Sequence, residues 1–364
     1  MSALFNIGGI YKAMDSCKVN IGGVWKEVVR ISANIGGAWK DIFKPKEVKY
    51  YGTAPDLSEG RTQMCGGAIG NYALFSGGYY RSGTLFIRTT VDAYNNTLAR
   101  TTATAMSGGA TEQMSANSTS HVLFAGGRNS VAIGQVNAYD GSLTRTALSV
   151  LNRSVYLHAG ASAGQYALFA GGTDNSSTYA DLTAYNSSLT KSTPTSLSEQ
   201  KKSLVGASIN GNALFAGGMS PSDATLLTIN AYNSSLVRSV LSNLSNSSYA
   251  MASVSTTNYV LFTAYNTTAI DVYDASLVKG TPVNASVLRY GVNSGDINKE
   301  YAVFANGSAS PNVVDVFDSN LVRTNPTNLP AVYSFTTASV GNYILFGGGS
   351  ESSAQKTVYA YEVI

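Results

Sequence analysis

Side chains suited to metal binding or nucleophilic catalysis are few in this chain of 364 residues. His121 and His158 are the two histidines, and Cys17 and Cys65 are the two cysteines. Neither histidine has a cysteine or carboxylate at the spacing of metal ligands, and the cysteines lie in different segments, which argues against a disulfide framework. The sequence therefore predicts no metal site and no cofactor.

Paired carboxylates suggest a second kind of chemistry, general acid and base catalysis. The pairs Asp271/Asp274 and Asp315/Asp318 have suitable residue types. Both pairs lie inside a recurring turn signature, and Asp commonly caps turns through its own side chain. We therefore interpret them as turn-capping residues. No Ser, Cys or Lys stands out as a nucleophile beside a base, so the protein is not expected to be an enzyme.

Two sequence patterns recur along most of the chain. The first is an aliphatic residue followed by Phe, and it occurs seven times at spacings of 42 to 49 residues. The doublets end at Phe75, Phe124, Phe169, Phe215, Phe262, Phe304 and Phe346. The second is a signature such as VDAYNNTL or INAYNSSL, in which alternating residues lead into a polar tetrapeptide and a Leu. These patterns predict four short strands per unit, with the Leu opening the fourth, and such units are propeller blades.

The spacing between the patterns predicts where the blades vary. From the signature Tyr to the next aliphatic residue the distance is 12 in four of the first five junctions, and from there to Phe it is 18. From Phe to the next Tyr it ranges from 19 down to 11. Variation is thus concentrated in the loop between the second and third strands, where binding loops are usually built.

The seventh unit stops where its fourth strand is due. The segment from Lys49 to Ala54 aligns with the fourth strand of the first unit, Leu98 to Ala103. We therefore expect this segment to pair with Val358 to Val363 and close the ring, which removes the free sheet edges of an open array. The predicted fold is all-β: a seven-bladed propeller over residues 45–364, closed by an N-terminal strand and preceded by a small hairpin module.

Residues 1–44 form a separate domain with its own repeat. Three units of 14 residues share an Asn-Ile-Gly-Gly core and predict small β-hairpins. The aromatic residue of each unit, at Tyr11, Trp25 and Trp39, either fills the core of this module or serves as an assembly contact. So short a segment buries little surface, so it is expected to need the propeller, a copy of itself or a larger assembly.

Charge and hydropathy exclude several classes of function. Residues 1–50 hold eight Lys or Arg and four Asp or Glu, which leaves sixteen and seventeen for the remainder. An electrically neutral repeat region predicts no binding to nucleic acid. No apolar run of 18 residues and no signal peptide is evident, so we expect synthesis in the cytoplasm and no membrane insertion.

The unit AYNSSLTKSTPTSLSEQKKSLVGASINGNALFAGG resembles a kelch repeat, and the resemblance covers about 310 residues. Leu stands where kelch repeats usually have Trp, and the fifth unit has Thr263-Ala264 in place of two glycines. The resemblance implies that the loops joining strands two to three and four to one share one face, over which ligands bind. Kelch-like oxidases hold copper with Tyr and His ligands, but this chain lacks a credible His pair.

On that face we expect a ligand-binding set of aromatic, amide and charged residues. Such residues suit sugar rings and their anionic substituents, although each is also ordinary loop surface. The set is Arg61, Tyr79, Tyr80, Arg81, Arg128, Asn129, Arg153, Asp174, Asn175, Lys201, Asp223, Tyr265, Arg289 and Tyr333.

The NIGGVWK units resemble short repeats in tail proteins of phages and phage-tail-like bacteriocins of Gram-positive hosts. The resemblance implies a protein of the tail tip or baseplate that contacts other tail proteins through residues 1–44. Its propeller would bind a host cell-surface glycan or surface protein. A structural tail component that contacts only other tail proteins is the first alternative, and a polysaccharide-degrading enzyme is the second.

Overall fold

The structure is a computed structural model, and it is all-β. It describes residues 3–7, 10–14, 18–21, 24–27, 31–35, 37–43, 46–82, 84–249, 251–289, 293–305, 312–330, 335–349 and 353–364. Two compact units are present: Met1–Lys49 with Val363–Ile364, and Tyr50–Glu362. Within the described residues, no helix is long and apolar enough to span a membrane.

The N-terminal module consists of three antiparallel hairpins, as its repeats predicted. The strands are β1 (Ala3–Ile7) with β2 (Ile10–Met14), β3 (Lys18–Ile21) with β4 (Val24–Glu27), and β5 (Ile31–Ile35) with β6 (Ala38–Phe43). The repeated Asn lies directly opposite the repeated aromatic residue in every hairpin, as in the pair Asn20 and Trp25. The side chains of Tyr11, Trp25 and Trp39 lie outside the described residues, so their role in assembly stays a prediction.

Seven four-stranded antiparallel sheets follow, and each is one blade of a propeller. The strand that closes the ring is β7 (Val48–Ala54). Blade 1 contains β8 (Cys65–Ile69), β9 (Tyr72–Ser76), a loop hairpin of β10 (Tyr79–Ser82) and β11 (Thr84–Ile87), β12 (Val91–Asn95) and β13 (Arg100–Thr102). Blade 2 contains β14 (Met114–Asn117), β15 (His121–Ala125), the loop strands β16 (Arg128–Asn129) and β17 (Val131–Ala132), β18 (Val136–Asp140) and β19 (Arg145–Leu148).

The next two blades lack extra loop strands. Blade 3 contains β20 (Ala159–Ala163), β21 (Tyr166–Ala170), β22 (Leu182–Tyr185) and β23 (Lys191–Ser192). Blade 4 contains β24 (Val205–Ile209), β25 (Asn212–Ala216), β26 (Ile229–Tyr232) and β27 (Arg238–Val240).

The last three blades complete the ring. Blade 5 contains β28 (Ser253–Ser255), β29 (Tyr259–Thr263), β30 (Thr267–Asp274) and β31 (Val283–Arg289). Blade 6 contains β32 (Asn293–Ile297), β33 (Tyr301–Ala305), β34 (Val314–Phe317) and β35 (Arg323–Thr324). Blade 7 contains β36 (Thr336–Val340), β37 (Tyr343–Gly347) and β38 (Val358–Val363), and β7 is its fourth strand.

The order β36, β37, β38, β7 confirms the predicted closure of the ring by the N-terminal strand. Beyond the paired strands β38 and β7, the Leu57 amide donates a hydrogen bond of 2.8 Å to the Lys356 carbonyl. The ring of Tyr50 also packs on Tyr361, with centroids 5.4 Å apart. The last sheet therefore has four strands like the other six, and β38 is paired on both sides.

Burial within a blade explains its sequence pattern. The second strand, such as β9 with its Leu-Phe doublet, is buried over nearly its whole length, because both of its faces pack against neighbouring blades. The third strand is likewise buried, whereas the fourth is mostly exposed. Continuous apolar runs therefore mark the middle of each blade, and polar residues mark its rim.

Turns between the third and fourth strands correct one prediction. The signature Leu does not open the fourth strand; it occupies the turn with left-handed backbone, with φ near 62° at Leu98, Leu143, Leu189, Leu236, Leu277 and Leu321. The Asn95 side chain accepts hydrogen bonds from the amides of Thr97 and Ala99 and so holds this turn. Asp274 and Asp318 cap their turns in the same way, as predicted.

The first strands surround a central channel and approach one another closely. At four junctions a hydroxyl donates to the carbonyl of the preceding blade at 2.7 Å: Ser115 to Gly66, Ser253 to Gly206, Ser294 to Ser253, and Thr337 to Ser294. At the other three junctions a glycine lies against the preceding strand, and a Cβ added to Gly66 would lie 1.7 Å from the Thr337 carbonyl oxygen. Small residues are therefore required at the centre of the ring.

Candidate functional site

The loops between strands two and three meet the loops that enter each blade on one face of the propeller. Isolated backbone bridges join the two sets of loops. They pair Thr62 with Tyr79, Thr111 with Arg128, Tyr156 with Thr173, and Lys202 with Met219. We call this surface the loop face. It is the surface on which the sequence placed the candidate ligand-binding residues.

The third strand anchors the loop that enters its own blade. Its Tyr donates a hydrogen bond to a loop carbonyl in six blades, as from Tyr94 to Pro55 and from Tyr139 to Thr104, both at 2.8 Å. In blades 1 to 6 a buried polar side chain two residues earlier than this position accepts from the loop backbone. Asp271 accepts from the Ser245 amide in this way.

This contact corrects the interpretation of one residue in each acidic pair. Asp271 and Asp315 are not turn caps; both hold the loop that enters their blade, through Ser245 and Ser286. Lys279 and Arg323 lie 3.1 and 3.6 Å from these carboxylates. Both carboxylates therefore hold a loop in place, and both are contacted by a cation of the protein.

Two of the predicted ligand-binding cations belong to the interior. Arg61 is fully buried, and it donates to the carbonyls of Gly77 and Thr90 and forms an ion pair with Asp92. Lys201 is also fully buried and donates to the Thr228 hydroxyl at 2.6 Å. Burial lowers the pKa of both groups from their ordinary values. The prediction that Arg61 and Lys201 contact a surface ligand is therefore wrong, because both side chains are fully buried inside the protein.

Blades 2 and 3 bring four predicted residues together on the loop face. Arg128 lies over the ring of Tyr156, with 5.1 Å from guanidinium carbon to centroid, and pairs with Glu112 at 2.7 Å. The Tyr156 hydroxyl in turn contacts the Asn175 side chain. Arg128, Tyr156 and Asn175 thus form a continuous chain of contacts across the junction between the two blades.

The second half of this surface repeats the arrangement. Arg153 lies 5.0 Å from the centroid of Tyr179, whose hydroxyl donates to Asp174 at 2.7 Å. This hydrogen bond, together with those from Ser176 and Ser177, lowers the pKa of Asp174 below its usual range. We name the group Arg128, Tyr156, Asn175, Asp174, Tyr179 and Arg153 the arginine–tyrosine surface. The side chains of Arg128 and Arg153 remain 45% and 54% exposed.

The other predicted residues lie elsewhere on this face or outside the described side chains. Asn129 is exposed beside Arg128, and Asp223 pairs with Lys202 at 2.7 Å. Tyr79 and Tyr80 are half-buried in the loop hairpin of blade 1, where Tyr80 is opposite Phe86. The side chains of Arg81, Arg289 and Tyr333 lie outside the described residues.

Blade 5 carries an aromatic pair of which sequence reasoning found only one member. Tyr265 stacks on Tyr249, with ring centroids 5.2 Å apart and planes inclined by 17°. Counted from the Phe of each unit, the place of a glycine pair such as Gly77 and Gly78 is occupied by Ala264 and Tyr265, which corrects the pair Thr263-Ala264 given in the sequence comparison. This departure from the repeat pointed to the loop that contains Tyr265. Tyr249 lies in the segment that enters the blade, whose length matches that of other blades, so nothing in the sequence pointed to it.

A cavity of about 600 Å³ occupies the end of the central channel nearest the loop face. Among its described lining residues there is no Lys, Arg, Asp or Glu. His158 belongs to this lining but is buried, and burial lowers its pKa to about 4. Within the described part of the chain, no three His, Cys, Asp or Glu side chains are grouped so as to hold a metal ion.

Comparison with known proteins supports the fold alone. No family profile and no curated protein sequence matches the chain. Among solved structures, a streptogramin B lyase is similar, with a TM-score of 0.59 and 8% sequence identity, over 88% of this chain and 98% of that one. At this identity the likeness shows a shared β-propeller and leaves the chemistry of the two proteins separate.

Proposed function

We propose that the protein is a non-enzymatic recognition protein whose loop face binds a component of a bacterial cell surface, a glycan or a protein. The observation that carries this proposal is the arginine–tyrosine surface. Its six side chains come from three loops and are held in one arrangement by ring contacts and hydrogen bonds. Planar guanidinium groups backed by aromatic rings bind anionic and polar groups well, since their outer faces and spare donors stay accessible.

A place in the tail of a phage or phage-tail-like bacteriocin follows from the N-terminal repeats, by their resemblance to repeats of such tail proteins. Three hairpins that each pair the repeated Asn with the repeated aromatic residue are suited to docking on a repetitive assembly. In this proposal residues 1–44 attach the protein to other tail proteins, and the propeller presents the loop face to the host. The lyase that shares the fold does not favour an enzyme here, because the likeness extends to the fold alone.

Staining of sensitive Gram-positive cells by fluorescently labelled protein tests this function. We expect the wild-type protein to label the cells and the double variant R128A/R153A to lose about tenfold or more of that binding, as for residues central to an interface. Lys299→Ala is the matched control, because Lys299 is an exposed cation in an ion pair at the opposite end of the blades. Its binding should equal that of the wild type.

Other results would replace this proposal. If the wild-type protein labels no cells but is incorporated into purified tail particles, a structural tail role is the better assignment. Release of reducing ends from cell-wall polysaccharide by the purified protein would instead assign a polysaccharide-degrading activity. Equal labelling by the wild type and R128A/R153A would show that the arginine–tyrosine surface is not the binding surface.

A further inference from the structure

Blade 5 breaks the repeat at one point, and the break creates an exposed aromatic surface. In blades 1 to 4 a glycine with positive φ follows the second strand, as at Gly78 and Gly218. A Cβ at Gly218 would lie 2.6 Å from the Lys202 carbonyl oxygen, so no side chain fits there. Blade 5 has Tyr265 at this position, and the loop between β29 and β30 is shortened to the three residues 264–266.

The short loop of blade 5 places Tyr265 against Tyr249, which lines the central cavity. Tyr249 and Tyr265 are 38% and 43% exposed, although their rings stack on each other. Tyr249 also lines the cavity mouth. In blades 1 to 4 the corresponding loops have ten or more residues between the second and third strands, so the loop of blade 5 contributes less chain to the loop face.

A buried hydroxyl fixes this aromatic pair in place. Ser248 is 1% exposed, and its Oγ accepts a hydrogen bond from the Tyr265 amide at 2.6 Å and donates to the Tyr249 carbonyl at 2.8 Å. One side chain therefore ties together the backbones that carry both rings. Such preorganisation lowers the entropy lost when a ligand binds to the rings.

The cavity beside the rings offers neutral hydrogen-bonding groups. Ser115, Ser253, Ser294 and Thr337 line it, and each donates its hydroxyl proton to a neighbouring carbonyl. Their oxygens therefore act as acceptors toward a ligand. An aromatic face next to a set of acceptors fits a ring with CH groups on one side and hydroxyl donors at its edge, and the described lining has no cation to match an anionic substituent.

We infer that the Tyr249–Tyr265 pair and the adjoining cavity mouth bind one neutral sugar ring of a cell-surface glycan. This inference rests on the proposed function and narrows it, because it names a glycan and a position on the loop face. The ring stacks on the exposed tyrosine surface, and its hydroxyl groups donate to the serine and threonine oxygens of the cavity. The rest of the glycan leaves over the short loop of blade 5.

The test is binding of the full-length protein to immobilised neutral and acidic oligosaccharides, with thermal unfolding checked for each variant. We expect the wild type to bind a neutral oligosaccharide, and Y249A and Y265A each to lose about tenfold in affinity, the order expected for a stacked ring. The double variant Y249F/Y265F keeps both rings and should retain binding. Tyr51→Ala is the matched control, since Tyr51 is 49% exposed and packs on Tyr343 in another aromatic pair.

The outcomes separate this inference from the proposed function. If the wild type labels cells and the two alanine variants bind glycans as it does, the tyrosine pair is not the sugar site and the recognition function stands. Binding to acidic oligosaccharides alone, or to cells but to no oligosaccharide, also overturns the inference. If the wild type binds neither cells nor glycans, the proposed function fails as well.

Discussion

Single residues of the repeat signature have distinct structural tasks. The Tyr of the third strand holds the entering loop by donating its hydroxyl to a loop carbonyl. The polar residue two positions earlier holds the same loop by accepting from a backbone amide of that loop. In blade 6 the Tyr is replaced by Phe317, which keeps the ring contact with Phe304 but has no hydroxyl. The loop face is therefore supported from inside each blade by side chains that never reach its surface.

His158 is an ionisable residue at a position that five other blades, among those described there, fill with side chains that do not ionise. The equivalents are Met64, Gln113, Leu204, Met251 and Phe335, all buried. Each lies just before the first strand of its blade, and His158 packs against Gly126 and the ring of Phe169. No hydrogen-bond partner of good geometry reaches either of its ring nitrogens among the described residues.

We predict that His158 makes the stability of the propeller depend on pH. Its pKa falls from 6.5 in the unfolded chain to about 4 in the fold, because burial disfavours the charged ring. As the pH falls, His158 is therefore protonated in the unfolded chain before it is protonated in the folded chain. Free energy of unfolding that is present above pH 6.5 is lost as the pH falls toward 4. The loss amounts to roughly 3 kcal/mol of the free energy of unfolding.

Urea denaturation at pH 7 and pH 4.5 measures this effect. The variant H158M, which copies Met251 of blade 5, should lose less stability between the two pH values than the wild type does. Since all other titrating groups are shared, the difference between the two proteins reports His158 alone. An identical loss in both would show that the histidine is not held neutral by the fold.

At the scale of elements, the first strand of each blade packs against the first strands of the neighbouring blades and also pairs within its own sheet. At the first-strand position opposite the signature Phe, four blades have a hydroxyl that donates to the preceding blade and three have a glycine, so the seven blades are not equivalent at the centre. The second strands, in contrast, are nearly identical in sequence and burial. The first strands therefore differ more from blade to blade than the second strands do.

We predict that Gly66→Ala destabilises the junction between blades 7 and 1. The new Cβ would lie 1.7 Å from the Thr337 carbonyl oxygen, so the backbone has to move. The cost should be about 1–3 kcal/mol, the usual range for overpacking. Gly141→Ala is the control, because nothing lies within 4 Å of its added Cβ.

Chemical denaturation of the two alanine variants provides the measurement. The midpoint of G66A should fall clearly below that of the wild type, while that of G141A should stay close to it. If G66A is as stable as the wild type, the two first strands do not pack as closely as the structure shows.

At the scale of the whole molecule, closure of the ring depends on strands from distant parts of the sequence. Blade 7 takes its fourth strand, Val48–Ala54, from the N-terminal side and its other three from residues 336–363. Without that strand, β38 presents unpaired amides and carbonyls at a sheet edge. The closing strand also contributes the buried side chains of Val48 and Ala54.

Truncation tests this closure. We predict that a chain of residues 46–364 unfolds cooperatively at a temperature near that of the full chain. A chain of residues 55–364 should unfold at least about 5 °C lower, because hydrogen bonds and apolar contacts of one strand are lost. Circular dichroism during heating and size-exclusion chromatography provide the measurements. Equal midpoints for the two truncated chains would contradict a stabilising role for the strand.

The sequence alone determined the blade count, the closing strand, the hairpin module and the position of the variable loops. These properties repeat, and seven copies of a pattern of apolar strands and polar turns specify one architecture. Local chemistry also identified Asp274 and Asp318 as turn caps, since an Asx turn involves neighbours in sequence alone.

Only the tertiary structure decided which loop residues face solvent. Arg61 and Arg128 both lie in blade loops in the sequence, yet Arg61 is fully buried against Asp92 while Arg128 lies exposed on Tyr156. The stacking of Tyr249 on Tyr265 likewise joins residues from two separate loops. The physical reason is that burial and pairing depend on contacts between loops distant in sequence, and a repeat pattern contains no information about such contacts.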